Sequence, residues 1–103
     1  MEVLMLLDTG ASITVLHREI ADRLNLNSMR KAKLMVAGGN VLDSDIVRLD
    51  YVGVGPIKKH GLQASVIQHA GPKTPYQGLL GMNFLKGLDY RIDYAREVIQ
   101  WKP

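Results

Sequence analysis

An aspartate that directly follows a run of five apolar residues is the feature that most constrains this chain. Val3 to Leu7 have the composition of a buried strand, and they lead straight into Asp8-Thr9-Gly10-Ala11-Ser12. Aspartate is depleted in strands, and burying its charge without a partner is costly. One explanation is structural, because Asp and Thr side chains accept backbone hydrogen bonds in turns and at helix starts. The other is that the carboxylate is catalytic, and the pentapeptide alone favours neither explanation.

A second motif, Leu79-Leu80-Gly81-Met82-Asn83-Phe84-Leu85, is another apolar strand that ends in a glycine. Taken with Leu6-Leu7-Asp8-Thr9-Gly10-Ala11-Ser12, in this order along the chain, it resembles the retroviral-type (retropepsin-like) aspartic proteases, in particular their bacterial and cellular single-domain branch. The resemblance extends from Leu4 to about Trp101. It implies a single protease domain over residues 1–103.

The rest of the chain has the pattern of an all-β protein with one or two short helices. The apolar residues 16, 20 and 24 predict an amphipathic helix over residues 15–25, and residues 82–87 predict a helical turn. Many short strands with glycine-rich turns favour a closed or sandwich-like fold. The resemblance implies a small closed β barrel. The predicted strands are residues 2–7, 31–36, 41–52, 61–68 and 78–81, followed by a pair between Tyr90 and Trp101.

Composition disfavours several other kinds of site and partner. The chain has no cysteine, which excludes disulfides, thiolate metal ligands and a cysteine nucleophile. The three histidines (His17, His60 and His69) lie far apart in sequence, so no metal and no cofactor is expected. A net charge of +3 and an aromatic content of 6% disfavour nucleic acid as a partner. No apolar run reaches the roughly 18 residues of a membrane span, and the cellular compartment stays open.

The resemblance carries a specific chemistry. Hydrolysis of a peptide bond without a metal or a nucleophilic side chain needs an activated water, which two adjacent carboxylates provide by sharing one proton. The sequence contains one Asp-Thr-Gly, so the second carboxylate must come from a second copy of the chain. The predicted function is an aspartic endopeptidase that acts as a homodimer on a peptide or unfolded protein. The alternative is a non-catalytic peptide- or protein-binding domain that retains the fold.

The resemblance also implies roles for the residues around Asp8. Thr9 is expected to hold the two catalytic loops together across the dimer interface. Gly10 is expected beside the carboxylate, where a side chain would crowd it. Asn83 matches a polar position next to the late glycine. Substrate contacts are implied for Ala11, Ser12, Leu80 and Gly81.

A glycine-rich turn at Gly38, Gly39 and Asn40 is a candidate for the tip of a flap that folds over the substrate and excludes water. An ordinary hairpin turn explains the same residues, and the sequence alone favours it.

Two features depart from the retroviral pattern. Only seven residues precede Asp8, which predicts a weaker dimer because the resemblance implies further strand structure there. Ser12 and Met82 stand where retroviral enzymes tend to have an acidic residue and an arginine. Their joint absence favours the bacterial and cellular branch.

Overall fold

The computed structural model describes residues 1–35, 38–69, 71–96 and 98–102, and the last residue of the strand predicted over 31–36 lies outside this part. The described residues form ten strands and two short helices, neither of them long and apolar enough to cross a membrane. In chain order these are β1 (Leu6–Leu7), β2 (Thr14–His17), α1 (Arg18–Arg23), β3 (Arg30–Met35), β4 (Val41–Arg48), β5 (Tyr51–Val54), β6 (Ile57–His60), β7 (Gln63–Ile67), β8 (Gly78–Leu80), α2 (Met82–Leu85), β9 (Asp89–Asp93) and β10 (Val98–Lys102).

Six strands form one sheet in the order β1-β8-β2-β7-β4-β3, and the remaining four form the hairpins β5–β6 and β9–β10. β8 pairs in parallel with β1 and antiparallel with β2, while β2 pairs in parallel with β7. The predicted mostly-β architecture is therefore confirmed. Closure into a barrel is not confirmed, because the sheet ends at β1 and β3 among the described strands.

Two clusters of buried apolar side chains hold these elements together. In the first, Ile20 of α1 packs with Leu16 and Val66 in the middle of the sheet. In the second, Leu80 of β8 packs with Phe84 of α2. Each such side chain contributes about 1.5–3 kcal/mol when it leaves water. A helix as short as α2 is only marginally stable by itself, so its position depends on this packing.

The helix predicted over residues 15–25 is only partly correct. Thr14–His17 form a strand, and the helix begins at Arg18 and ends at Arg23. Leu16 is buried in the sheet, while Leu24 is 41% exposed. A strand buried on both faces has no alternating pattern of apolar and polar residues. The spacing of residues 16, 20 and 24 therefore indicated a helix where Thr14–His17 form a strand.

The N-terminal strand is shorter and more exposed than predicted. β1 contains only Leu6 and Leu7, and Met1, Leu4 and Leu6 are 63%, 59% and 46% exposed. Among the described strands, β1 is an edge strand that pairs only with β8, so side chains that point away from the core remain open to solvent. The prediction of a buried strand over residues 2–7 is therefore wrong.

A hairpin was also not predicted from the sequence. The strand expected over residues 41–52 ends at Arg48, and β5 then pairs antiparallel with β6. Gly55, with a φ of +55°, lies in the tight turn between Val54 and Ile57. Gly53 lies within β5, while Gly55 and Pro56 form the turn between the two strands.

A buried carboxylate ties α1 to the sheet. Asp45 of β4 is 5% exposed, and its Oδ2 lies 2.6 Å from Nη2 of Arg18. Its Oδ1 lies 2.6 Å from Nζ of Lys31 and accepts a hydrogen bond of 2.8 Å from Ser28 Oγ. The hydrogen bonds from Lys31, Ser28 and Arg18 hold the pKa of the Asp45 carboxyl far below its usual range. Both oxygens have partners, which is what a buried charge requires.

The substitution Asp45→Asn is expected to lower the midpoint of urea unfolding at pH 7, because it removes this charge and leaves Arg18 without its partner. A carboxyl whose pKa is lower in the folded state stabilises above its unfolded pKa, and this stabilisation is lost as the pH falls through the folded pKa. The difference between variant and parent should therefore shrink as the pH falls below about 4.

The matched control is Asp43→Asn, because Asp43 is 85% exposed and pairs with Lys33 at the surface. Exposed ion pairs contribute little, so this variant should unfold close to the parent. Equal urea midpoints for Asp45→Asn and Asp43→Asn at pH 7 would contradict the structural role of Asp45.

Candidate active site

Asp8 lies directly after β1, at the start of a loop that leads to β2. Because β1 runs parallel to β8 and β2 runs antiparallel to it, the end of β1 and the start of β2 lie at the same edge of the sheet. β8 lies between them, so residues 8–13 pass across the carboxyl-terminal end of β8, where Gly81 follows. We call residues 8–13 the Asp8 loop.

Backbone hydrogen bonds fix the Asp8 loop to the second motif. The Asp8 N–H donates to the Leu80 carbonyl at 3.0 Å, and the Met82 N–H donates to the Ala11 carbonyl at 2.7 Å. Within the loop, the Ala11 N–H donates to the Asp8 carbonyl at 3.2 Å. The two motifs therefore meet in the structure, as the resemblance implies.

The Asp8 carboxylate is held from within its own loop. The Gly10 N–H donates to Asp8 Oδ1 at 2.9 Å, and a Cβ added at Gly10 would lie 3.2 Å from the same oxygen. This close approach agrees with the crowding expected for a side chain at this position. Asp8 and Ala11 are half-buried, while Thr9, Gly10 and Ser12 are exposed. The loop thus presents Thr9, Gly10 and Ser12 at the surface.

Gly81 permits a close backbone approach between the Asp8 loop and the end of β8. A Cβ at this position would lie 2.6 Å from the carbonyl carbon and oxygen of Ile13 and 2.9 Å from the Thr14 nitrogen. Its φ of −96° is accessible to any residue, so the requirement for glycine is one of space. The Gly81 N–H also donates to Thr14 Oγ1 at 3.1 Å.

A polar network that begins at the buried Gly81 and Thr14 continues through the half-buried Asn83 to β7. Thr14 is 1% exposed, and both its N–H and its hydroxyl donate to Asn83 Oδ1 at 2.8 Å. Asn83 Nδ2 in turn donates to the Gln63 carbonyl at 2.7 Å. The position of Asn83 beside Gly81 was predicted, but the role of Thr14 was not. The available signal was a hydroxyl residue within the apolar run Ile13-Thr14-Val15-Leu16.

The candidate flap is the turn between β3 and β4. Gly38 and Gly39 have φ values of +92° and +84°, and a Cβ on either would meet no atom of the described residues within 4 Å. Met35 and Val41, which pair with each other next to the turn, are 73% and 55% exposed. Exposed apolar side chains at the end of a hairpin are typical of a surface that contacts a ligand or another chain. The observed hairpin is compatible with both interpretations of the sequence, a flap tip and an ordinary hairpin turn.

The structure separates the predicted substrate-binding residues into three groups. Ala11 and Ser12 lie in the Asp8 loop, where the surface is accessible. Leu80 is 4% exposed and packs in the core, and Gly81 is buried, so neither presents a side chain to a ligand in this conformation. The turn residues Gly38, Gly39 and Asn40 are exposed, and in the described part of the chain no hydrogen bond links them to the Asp8 loop.

The substitution Gly81→Ala is expected to destabilise the protein by at least about 1–3 kcal/mol, because its Cβ would overlap backbone atoms that cannot rotate away. Gly53→Ala is the matched control, since the nearest atom to its added Cβ is the Ile57 carbonyl oxygen at 3.9 Å. Urea unfolding of both variants measures the difference. Equal midpoints for the two variants would show that the Asp8 loop does not pack on Gly81.

The substitution Thr14→Val is expected to cost about 1–3 kcal/mol, because it leaves the buried Gly81 N–H without an acceptor. Ser65→Ala is its control, since Ser65 Oγ is buried in β7 and has no hydrogen-bond partner among the described residues. Removing that hydroxyl should cost little. Thermal unfolding of the two variants provides the comparison, and a larger loss for Ser65→Ala would contradict the network.

Comparisons with known proteins agree with these features. The sequence model of the family described as aspartyl protease matches residues 1–84. No curated protein gives a significant match. The crystal structure of a retropepsin-like aspartic protease from Rickettsia conorii is similar with a TM-score of 0.65 and 23% identity, covering 90% of this chain and 68% of that one, which shows a likeness of fold. Since the family match spans most of its length, this chain belongs to the aspartyl protease family.

Proposed function

We propose that the chain is one subunit of a homodimeric aspartic endopeptidase, in which the two Asp8 carboxylates face each other across a two-fold axis. The observation that carries the proposal is the presentation of Asp8. Its carboxylate is fixed by the Gly10 N–H, and its loop is anchored to Leu80 and Met82 while Thr9 and Gly10 stay exposed. A single, held carboxylate at an accessible surface suits an isologous interface, where each residue can meet its own copy.

The proposed reaction requires both carboxylates. Two carboxylates in contact cannot both ionise comfortably, so the pair holds one proton. The ionised Asp8 accepts a proton from the attacking water, and the protonated Asp8 donates a hydrogen bond to the substrate carbonyl. The proton taken from the water then passes to the amide nitrogen, and the carbon–nitrogen bond of the peptide breaks. The two apparent pKa values belong to the pair rather than to either subunit.

The surroundings of Asp8 support a partner on this side of the molecule. Met1, Leu4 and Leu6 are 63%, 59% and 46% exposed, and they lie in or just before the edge strand β1. Alternation along a strand places Leu6 on the same face as Asp8. A second subunit that covers these side chains would remove apolar area from water, which contributes about 25 cal/mol per Å².

The other predicted residues receive roles within this proposal. Thr9 holds the two Asp8 loops together, and Gly10 leaves space beside the carboxylate. Ala11 and Ser12 contact the backbone of a peptide or unfolded protein. Gly38, Gly39 and Asn40 form the flap tip that closes over it. All of these belong to a single domain spanning residues 1–103.

The alternative is a non-catalytic domain that binds an extended peptide. The sheet ends at β1 and β3 in the described part of the chain, and such edges can accept an additional strand. The two functions differ in whether the Asp8 carboxylate is required.

The substitution Asp8→Asn is expected to reduce cleavage of an unstructured peptide by about 10³-fold or more. The fold should persist, because the Asn side-chain oxygen can still accept the Gly10 N–H. Mixing the variant with the parent then tests the dimer. If both subunits must supply Asp8, an equal mixture after subunit exchange should retain about one quarter of the activity of the same total amount of parent.

Asp43→Asn is the control for this experiment, since Asp43 is an exposed carboxylate in β4. It should cleave as fast as the parent, alone and in mixtures. Retention of about one half of the activity in the equal mixture with Asp8→Asn would indicate independent subunits. Full activity of Asp8→Asn alone would reject the proposed catalysis and favour the binding function.

A further inference from the structure

Two histidines that lie far apart in sequence meet at one edge of the sheet. His17 is the last residue of β2, and His69 follows the end of β7. β2 and β7 run parallel, with His17 opposite Ile67, so their carboxyl-terminal ends bring the two rings together. The ring centroids are 4.6 Å apart and the planes differ by 19°, which is a stacked pair. His17 is buried, with 8% of its surface exposed.

His69 belongs to the loop between β7 and β8, so the stacked pair joins this loop to the end of β2. A His69 ring nitrogen lies 2.8 Å from the Pro72 carbonyl oxygen, within hydrogen-bond distance. Near the other end of the loop, the Tyr76 ring centroid lies 6.3 Å from that of His17. Thr74 Oγ1 donates to the Tyr76 carbonyl at 2.7 Å, which helps to fix the loop's own shape. The stack is therefore one of the contacts that hold this loop on the end of β2.

The same loop ends in a residue that anchors the segment carrying Asp8. The His17 N–H donates to the Gln77 carbonyl at 2.9 Å, and the Gln77 N–H donates to the Leu4 carbonyl at 2.8 Å. The Leu4 N–H returns a hydrogen bond to Gln77 Oε1 at 3.0 Å. Gln77 leads directly into β8, whose Leu80 carbonyl accepts the Asp8 N–H. A continuous chain of contacts thus links the histidine pair to the Asp8 loop.

We propose that the His17–His69 stack is a pH-sensitive clasp, which holds the β7–β8 loop while both rings are neutral and loosens it when they become protonated. Two adjacent imidazolium ions repel each other, and the charged form of a buried ring also loses its hydration. Loosening the loop would weaken the anchor at Gln77 and, through it, the placement of Asp8. This effect on catalysis rests on the proposed function, whereas the clasp itself does not.

The surroundings of His17 favour its neutral form on balance. Burial lowers the pKa of His17 below its usual value, His69 lowers it further, and Glu19 opposes the shift. The other titratable or charged groups beside the pair line a cavity of about 340 Å³ and come from α1 and the loop: Arg18, Lys73 and Tyr76. Arg18 is paired with Asp45 of β4.

The direction of the pH effect follows from this shift. A histidine whose pKa is lower in the folded state leaves stability unchanged above its unfolded pKa of about 6.5. As the pH falls from there through the folded pKa, protonation favours the loosened or unfolded chain, so the hold on the loop weakens. Cleavage should therefore decline on the acid side even where the Asp8 pair is correctly protonated.

The clasp is tested by NMR on the intact chain carrying Asp8→Asn, which removes any effect of self-cleavage. The ring proton signals of His17 should report a pKa below its ordinary value, because burial and the neighbouring His69 both lower it. After correction for intrinsic chemistry, the Gln77 amide should exchange at least about tenfold faster at pH 5 than at pH 7.5. The Leu49 amide, bonded to the Leu62 carbonyl, should keep its protection.

The variant His69→Phe keeps a flat ring for stacking but cannot be protonated, so it should reduce this pH dependence by removing the repulsion between the two rings. His60→Phe is the matched control, because His60 lies beside Tyr51 in the β5–β6 hairpin, and it should leave the pH dependence unchanged. If His69→Phe does not fold, the titration and exchange of the otherwise unaltered chain still decide. A His17 pKa that is not lowered, or Gln77 exchange unaffected by pH, would overturn the clasp. Neither outcome depends on whether the protein cleaves peptides.

Discussion

The close approach of the Asp8 loop to Gly81 is the contact on which the rest of the site depends. The loop can cross the end of β8 only because residue 81 carries no side chain, with the Ile13 carbonyl 2.6 Å from where a Cβ would lie. That approach brings Thr14 within hydrogen-bond distance of both Gly81 and Asn83. The buried residue Phe84 holds α2 beneath this junction. The core, Gly81 and the Asp8 loop therefore form a single packed unit.

Two carboxylates in this chain have contrasting surroundings, and the contrast explains their different uses. Asp45 is buried and bonded to Arg18, Lys31 and Ser28, so its charge is fully compensated and it serves the fold. Asp8 accepts one hydrogen bond, from Gly10, in the described part of the chain and lies at the surface. Its remaining hydrogen-bonding capacity is available to water, to a substrate or to a second carboxylate.

The sequence motifs predicted the candidate site, whereas local patterns misplaced several of the elements that carry it. Asp8 and Gly81 were singled out because each follows an apolar strand in a recognisable motif, and the structure packs the Asp8 loop against Gly81. β2 was mistaken for helix because Leu16 and Ile20 are both buried, and their spacing of four residues fits the period of a helix as well as that of a strand. The stack of His17 on His69 depends on strand order and register, which no local pattern contains.

The central claim is that hydrolysis requires two copies of Asp8 in contact. The most direct measurement is the solution mass of the chain over a wide concentration series, with the rate of peptide cleavage per subunit recorded on the same samples. The account predicts that the rate per subunit rises in proportion to the fraction of dimer and vanishes where the chain is monomeric. Undiminished cleavage by a chain of monomeric mass would contradict it.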